Sequence, residues 1–191
     1  MRALALAVRA ISGLNAIVGS VFSWLSLGIV AVCFTVVVLR YVFATSFVWM
    51  QDLYIWQNGA MFTAVAGFAL MRGDHVRVDI FYRPARAKTK ALVDLFGSLF
   101  FLLPFCFVVY RYSMPFVQRA WSYREGSANV GGMEGLFILK TFIIAFVVLL
   151  ALQGIAMILR SILVLGGRND LLPPTQRYGD DDVPAAIEGA H

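Results

Sequence analysis

Hydrophobic residues in this chain are gathered into four long runs, and short polar segments between them carry most of the charged residues. The runs cover about residues 20–43, 54–71, 91–112 and 136–165. Each run is about as long as a helix that crosses roughly 30 Å of hydrocarbon. Only a helix or a closed barrel satisfies the backbone hydrogen bonds of a chain in lipid. The pattern therefore predicts an all-α integral membrane domain, 20–165, with four transmembrane helices.

The segments outside this domain have different patterns. Apolar residues recur at helical spacing in residues 1–19, which predicts an amphipathic cytoplasmic segment on the membrane surface. A similar short surface helix is predicted for 118–124, within the connection between the third and fourth spans. The tail, residues 166–191, contains Pro173, Pro174 and an acidic run at 180–182. It is too polar to form a core of its own, and it is predicted to be disordered and cytoplasmic.

The composition supports a membrane protein with a single helical bundle. Of 191 residues, 60% are hydrophobic and only 14% are charged, whereas a soluble domain has roughly a quarter. The mean hydropathy is +0.78. Basic residues lie at the ends of the apolar runs rather than in a stripe with stacking aromatics, which disfavours a nucleic-acid-binding surface. Cys33 and Cys106 lie inside apolar runs, where we expect small core residues rather than a disulfide.

The basic residues predict the orientation of the chain. Four spans place both termini and the 72–90 loop on one side, and that side carries eleven of the sixteen Lys and Arg residues. Basic residues are enriched on the cytoplasmic side of membrane proteins. The N- and C-termini are therefore predicted to be cytoplasmic. The other side carries Arg40, Arg111, Arg119, Arg124 and Lys140.

Several residues within or beside the spans are predicted to shape the bundle. Small residues, with Gln57 and Asn58, make the second span the best candidate for a buried helix. Gly73 is expected to end that helix, and Pro104 is expected to kink the third. Asp52 precedes the second span, where it is predicted to cap the helix; an ion pair with Arg40 or with a partner subunit is the alternative.

The chain offers no recognisable catalytic, cofactor or metal site. His75 lies in a loop and His191 is the last residue, so haem or metal binding through paired histidines is not supported. Asp94 lies near the start of the third span, within reach of Lys90 for an i,i+4 ion pair. The residues leave two functions open: a non-enzymatic subunit whose chemistry lies on another chain, or a free-standing homo-oligomeric transporter with Asp94 as its proton or sodium site.

Three groups of residues resemble a known family. Arg40-Tyr41-Val42-Phe43 ends the first span, Trp49 and Asp52 precede the second, and Gly67 is followed by Arg72-Gly-Asp-His-Val-Arg-Val-Asp79. This combination resembles the small membrane (Q) subunit of tripartite ATP-independent periplasmic (TRAP) transporters over roughly residues 15–165. Asp52 departs from the family, which more often has glutamate. Trp121, the 124–127 segment, Gly131-Gly132 and Lys140 are similar to a branch associated with monocarboxylates and 2-oxo acids.

The resemblance implies a non-catalytic scaffold subunit, without cofactors, of a sodium-coupled importer of an organic acid in the bacterial inner membrane. Its implied partners are a large multi-helix permease subunit, a periplasmic substrate-binding protein and membrane lipids. The residues it singles out for the subunit interface or for structure are Arg40, Tyr41, Trp49, Asp52, Gly67, His75, Arg77 and Asp79. Tyr123, Arg124 and Glu125 are the candidates for contact with the binding protein. Solvated loop charges and plain membrane anchoring are the alternatives for these residues.

Overall fold

A computed structural model describes residues 1–73, 82, 85–173 and 176–178. Every regular element among these residues is a helix, which confirms the all-α prediction. The helices pack side by side, so the bundle has two ends. We call the end with residues 43–47 and 123–135 the loop end. The other end, with Met1, Gly73 and residues 166–173 and 176–178, is the terminal end.

The first two helices follow one another almost without interruption. Helix α1 (Arg2–Ser23) and helix α2 (Leu25–Val42) are joined at Trp24, whose own backbone is helical, at φ −65° and ψ −20°. The predicted surface segment and the predicted first span are thus parts of one 41-residue helical stretch. The buried face of α1 consists of small and polar residues, and it packs against two other helices of the bundle. These residues are Ala5, Val8, Ser12, Asn15 and Gly19.

Helix α3 (Val48–Arg72) lies between α1, α2 and the last long helix. Its buried residues Ala60, Ala64 and Gly67 are small, so neighbouring helix backbones approach it closely. Gly73 ends the helix at φ 76°, a left-handed conformation that glycine adopts without strain, and this confirms the predicted helix end.

Two further long helical stretches lie in the described part of the bundle. Helix α4 (Ala87–Gly97), a π-helical segment (Ser98–Leu102) and helix α5 (Leu103–Ser122) form one of them, and helix α6 (Leu136–Leu165) forms the other. Pro104 lies just after the π-helical segment, where its missing N–H interrupts the regular hydrogen-bond ladder. Helix α5 continues through residues 118–122, so the predicted surface helix is the end of α5. A short 3₁₀ turn, Asn169–Leu171, follows α6.

Among the described residues, three stretches are long and apolar enough to cross a membrane by length and composition: Arg2–Val42, Ala87–Ser122 and Leu136–Leu165. Helix α3 is not among them, because Gln57, Asn58 and other polar residues lower its hydropathy. At 25 residues, it is nevertheless about 37 Å long, which exceeds the hydrocarbon thickness. Its place among the apolar helices makes it the fourth membrane helix.

Part of the predicted disordered tail is packed against the terminal end of the bundle. Leu172 and Tyr178 are buried in a cluster with residues of α1, α4 and α6. The tail also receives a hydrogen bond from Arg9 of α1 to the carbonyl oxygen of Leu171, at 3.1 Å. Residues 174–175 and 179–191, which the same prediction covers, lie outside the described residues. The buried members of this terminal cluster are Ala5, Val8, Ala91, Leu163, Val164, Leu172 and Tyr178.

Candidate functional site

Asp52 organises the loop end of the bundle. Its side chain is only 3% exposed, and its carboxylate accepts hydrogen bonds from the backbone N–H of Met133 and the side-chain amide of Asn129, both at 3.0 Å. The Ser127 hydroxyl is a third partner, and its hydrogen bond contributes most to holding the pKa of Asp52 below the ordinary value, against the opposing effect of burial. Asp52 thereby fastens the 127–133 loop to α3.

The predicted capping role of Asp52 is wrong. Helix α3 begins a full turn earlier, at Val48, and its N-cap residue is Phe47, which makes no side-chain capping hydrogen bond. The helix thus covers part of the segment that we expected to be a connection, and the ring centres of Phe47 and Trp49 lie 6.4 Å apart at its start. Asp52 therefore lies within the helix, where its carboxylate reaches across to another loop instead of to its own backbone.

The loop that Asp52 holds has a fold that depends on glycine. A Cβ atom at Gly132 would collide with the Asp52 carboxylate and with Ser127, so only glycine fits there. Gly135 has φ 105° directly before α6, a conformation that favours glycine. The loop is closed by a hydrogen bond from the Ser127 N–H to the Met133 carbonyl oxygen, at 2.9 Å. Loop 127–133 is consequently a fixed structure on top of α3.

Glu125 and Lys140 form an ion pair beside this loop, at 2.5 Å. The ammonium group of Lys140 also lies 3.9 Å from the centre of the Phe116 ring, a cation–π geometry. With Arg119 and Tyr123, these residues line an open cavity of about 270 Å³. This part of the loop end therefore combines a positive and a negative group with an aromatic wall.

The two other residues predicted to contact the binding protein are on the outside of the loop end. Tyr123 is 79% exposed, and Arg124 is exposed with a positive φ of 44°. Nearby, the Trp121 indole N–H donates to the Thr141 hydroxyl at 2.9 Å and fastens the end of α5 to α6. Tyr123, Arg124 and Glu125 thus share one accessible corner of the molecule.

A second polar site joins three helices inside the bundle. The side-chain amide of Asn15 in α1 donates to Gln153 in α6 at 2.9 Å, and both residues are buried. Gly67 of α3 faces the same place, since a Cβ there would overlap Asn15 and approach the Leu149 carbonyl oxygen. Asn15 was not predicted, although a single amide among the apolar residues of the first helix could have indicated a polar contact between helices. Amides that bond across helices in lipid fix the helix pairing.

The remaining predicted residues lie apart from these sites. Arg40 and Tyr41 are exposed near the end of α2, and Trp49 is exposed in the first turn of α3. The contacts of Asp52 described above are to the 127–133 loop. His75, Arg77 and Asp79 lie outside the described residues, so their predicted interface role stays a prediction.

Asp94, the alternative ion-coupling residue, lies at the terminal end. Its carboxylate accepts hydrogen bonds from the phenol hydroxyls of Tyr82, at 2.9 Å, and Tyr178. Tyr178 in turn stacks beneath Arg160, whose guanidinium carbon lies 3.8 Å from the ring centre. The contacts of Asp94 thus connect α4 to the packed part of the tail. In the described part of the chain, no group of three or more His, Cys, Asp or Glu residues could hold a metal ion.

These features define a small helical membrane protein whose polar groups fasten helices, loop and tail to one another. The family model for tripartite ATP-independent periplasmic transporters, DctQ component, matches residues 29–164. The chain belongs to this family and is a TRAP transporter subunit, as the resemblance implied. The match runs from α2 to the end of α6, and it leaves out α1 and the tail. Searches of characterised proteins and of solved structures found no match to this chain.

Proposed function

We propose that this chain is the non-catalytic scaffold subunit of a sodium-coupled, binding-protein-dependent importer of an organic acid. The family match over the whole α2–α6 bundle carries the proposal. In it, a periplasmic binding protein captures the acid and delivers it to a complex of this chain with a large multi-helix permease subunit. That large subunit supplies the substrate and sodium sites and the transport domain that moves.

The contacts of the acidic residues support a scaffold role. A coupling carboxylate must change its protonation or bind an ion during transport, and such groups are found within the membrane facing a water-filled path. Asp52 and Asp94 instead bind partners within the chain, near opposite ends of the bundle. Their hydrogen bonds stabilise one arrangement of helices, which suits an immobile subunit.

The proposed location is the bacterial inner membrane, with the terminal end in the cytoplasm and the loop end in the periplasm. In this orientation Tyr123, Arg124 and Glu125 face the binding protein. The exposure of Tyr123 and Arg124 supports this contact. His75, Arg77 and Asp79 would lie on the cytoplasmic side, beside the large subunit.

Reconstitution tests the proposed function. The chain, the large permease subunit encoded with it and the binding protein are purified and combined in liposomes, and uptake of labelled mono- and dicarboxylates is measured with and without an inward sodium gradient. We expect uptake only with all three proteins and the sodium gradient. Transport by this chain alone would overturn the scaffold role, and uptake that is indifferent to sodium would overturn the coupling.

A further inference from the structure

Helix α3 has one side that the other described residues leave open. Asn58 and Phe62 are exposed on this side, and Phe62 is 75% exposed. Met61, Val65 and Ala69 follow at the helical spacing that continues the same face. They line a groove of about 360 Å³ whose other wall is formed by Ser23 and Ser26, beside the joint between α1 and α2. We call this surface the α2–α3 groove.

Asn58 makes this surface unusual for a helix surrounded by lipid. Counted along α3, it lies about 9 Å inside from Asp52 and about 21 Å from Arg72, which places it within the hydrocarbon region. Among the described residues, its exposed amide makes no hydrogen bond. Lipid tails provide no donor or acceptor, so an amide that faces them is left unsatisfied. A protein group at that depth would satisfy it.

The walls of the groove also suit a helix. Ala66, Ala69 and the two serines are small, and small residues permit close approach between membrane helices. The hydroxyls of Ser23 and Ser26 already donate to backbone carbonyl oxygens, at 2.7 Å each, so they present little polar surface. The groove continues into α2, which has no buried residue and exposes apolar side chains along one face: Leu27, Val30, Phe34, Val37 and Tyr41.

Another exposed face of the bundle provides a contrast. Between residues 99 and 108, the π-helical segment and α5 expose only apolar side chains, most of them large. Phe101 is 73% exposed and Phe107 is 68% exposed. Lipid tails suit such a surface, and none of its exposed side chains is polar. The α3 face therefore exposes an amide without a hydrogen bond to the described residues, which favours contact with protein, whereas this face is apolar and suits lipid.

We propose that the α2–α3 groove is the docking surface for a transmembrane helix of the large permease subunit, and that this helix places a hydrogen-bonding group against the Asn58 amide. The inference rests on the proposed function for the identity of the partner. A second copy of this chain and a lipid are the competing occupants. The observation that favours a protein over a lipid is the unpaired amide within the membrane.

Site-specific photo-crosslinking tests the groove in the intact complex. A benzophenone amino acid replaces Phe62 in one variant and Phe107 in a matched control, and each full-length chain is produced with the large subunit in cells. We expect crosslinking to the large subunit from position 62 and not from position 107. Crosslinking from position 62 to another copy of this chain, or to lipid alone, would overturn the proposal, as would crosslinking from position 107 to the same extent.

The Asn58 amide is tested separately. Asn58→Leu should reduce co-purification of the large subunit by about 3-fold to 30-fold, the effect of one interhelical hydrogen bond in a membrane. The thermal stability of the isolated chain should not fall, because Asn58 has no hydrogen bond to lose there. Phe101→Leu on the lipid-facing side should change co-purification less than 2-fold. Unchanged co-purification of Asn58→Leu would remove the amide from the interface.

The two hypotheses fail in distinguishable ways. If the unaltered chain never co-purifies with the large subunit, the proposed function fails and the groove has no such partner. If the complex forms but position 62 does not crosslink to the large subunit, the scaffold role stands and the docking surface is elsewhere.

Discussion

At the scale of single residues, Asp52 has the largest local role. Its three hydrogen bonds connect α3 to a loop that lies about 80 residues further along the chain. The sequence indicated that an acid in this place was structural, but it gave no means to identify the partner. The resemblance singled out Asp52 for the subunit interface or for structure, while the physical argument for a helix cap assigned it the wrong contact.

Replacing Asp52 should release the 127–133 loop. Asp52→Ala leaves the Met133 N–H and the Asn129 amide without their partner, which costs about 1–3 kcal/mol of unfolding free energy. We expect a lower melting temperature in detergent and faster protease cleavage between residues 123 and 135. Glu134→Ala, an exposed acid in the same connection, is the control. Equal cleavage rates for both variants would show that the carboxylate does not hold the loop.

The same carboxylate predicts a pH dependence. Because folding lowers the pKa of Asp52 from 3.8, its stabilising contribution is complete above that pH and is lost as the pH falls through the lower, folded-state value. Protease resistance of the loop should therefore stay constant from pH 8 to pH 5 and decline only below pH 3.8. A decline centred near neutral pH would assign the effect to another group.

Two glycines offer a matched comparison of crowded and open positions. A Cβ at Gly67 would overlap Asn15, whereas a Cβ at Gly13 has no atom within 4 Å. Gly67→Ala should lower the unfolding free energy by about 1–3 kcal/mol through overpacking. Gly13→Ala lies in the interior of α1 and should raise it by about 0.5–1 kcal/mol. Unfolding of both variants in detergent measures the difference, and a stabilising Gly67→Ala would contradict the close approach of α1, α3 and α6.

At the scale of the elements, the main feature that the sequence did not predict is the packed part of the tail. Tyr178 connects the tail to α4 through Asp94 and to α6 through Arg160. Leu172 is fully buried among residues of α1, α4 and α6. The tail and α1, both outside the family match, thus pack together and cover the terminal end of the bundle.

Tyr178 should contribute to stability mainly through its ring. Tyr178→Ala removes a buried aromatic side chain and should cost about 3 kcal/mol of unfolding free energy. Tyr178→Phe keeps the ring and loses the hydrogen bond to Asp94, which is worth about 1 kcal/mol. Thermal unfolding of the purified chain ranks the variants. If neither variant changes the melting temperature, the tail does not stabilise the terminal end.

The ends of the helices show which helix boundaries a local sequence pattern predicts and which it does not. The predicted fourth span coincides with α6 at both ends, between Gly135 and Gly166. Near the boundary predicted at residue 20, the chain has a helical joint at Trp24 between α1 and α2 rather than a loop. Hydrophobicity marks where lipid begins, whereas a helix ends only where its backbone hydrogen bonds find another partner.

At the scale of the whole molecule, the orientation in the membrane is the prediction that connects structure to function. Single cysteines at Arg2 and Arg124, in a background with Cys33→Ala and Cys106→Ala, should react differently with a membrane-impermeant maleimide. In intact cells with a permeable outer membrane, we expect labelling at position 124 and none at position 2 until the cells are opened. The opposite result would contradict the distribution of basic residues on which the orientation depends.

The sequence by itself determined the all-α membrane class, the end of α3 at Gly73, the limits of α6 and, through short motifs, the family. These features depend on hydrophobicity and backbone conformation, which act within a few residues. Only the tertiary structure decided which polar groups meet: Asn15 with Gln153, Asp52 with Met133, and Tyr178 with Asp94. Those partners lie 138, 81 and 84 positions apart, and no local pattern records a contact over such distances. Packing of the helices also decided that the amide of Asn58 is exposed and has no hydrogen bond to the described residues.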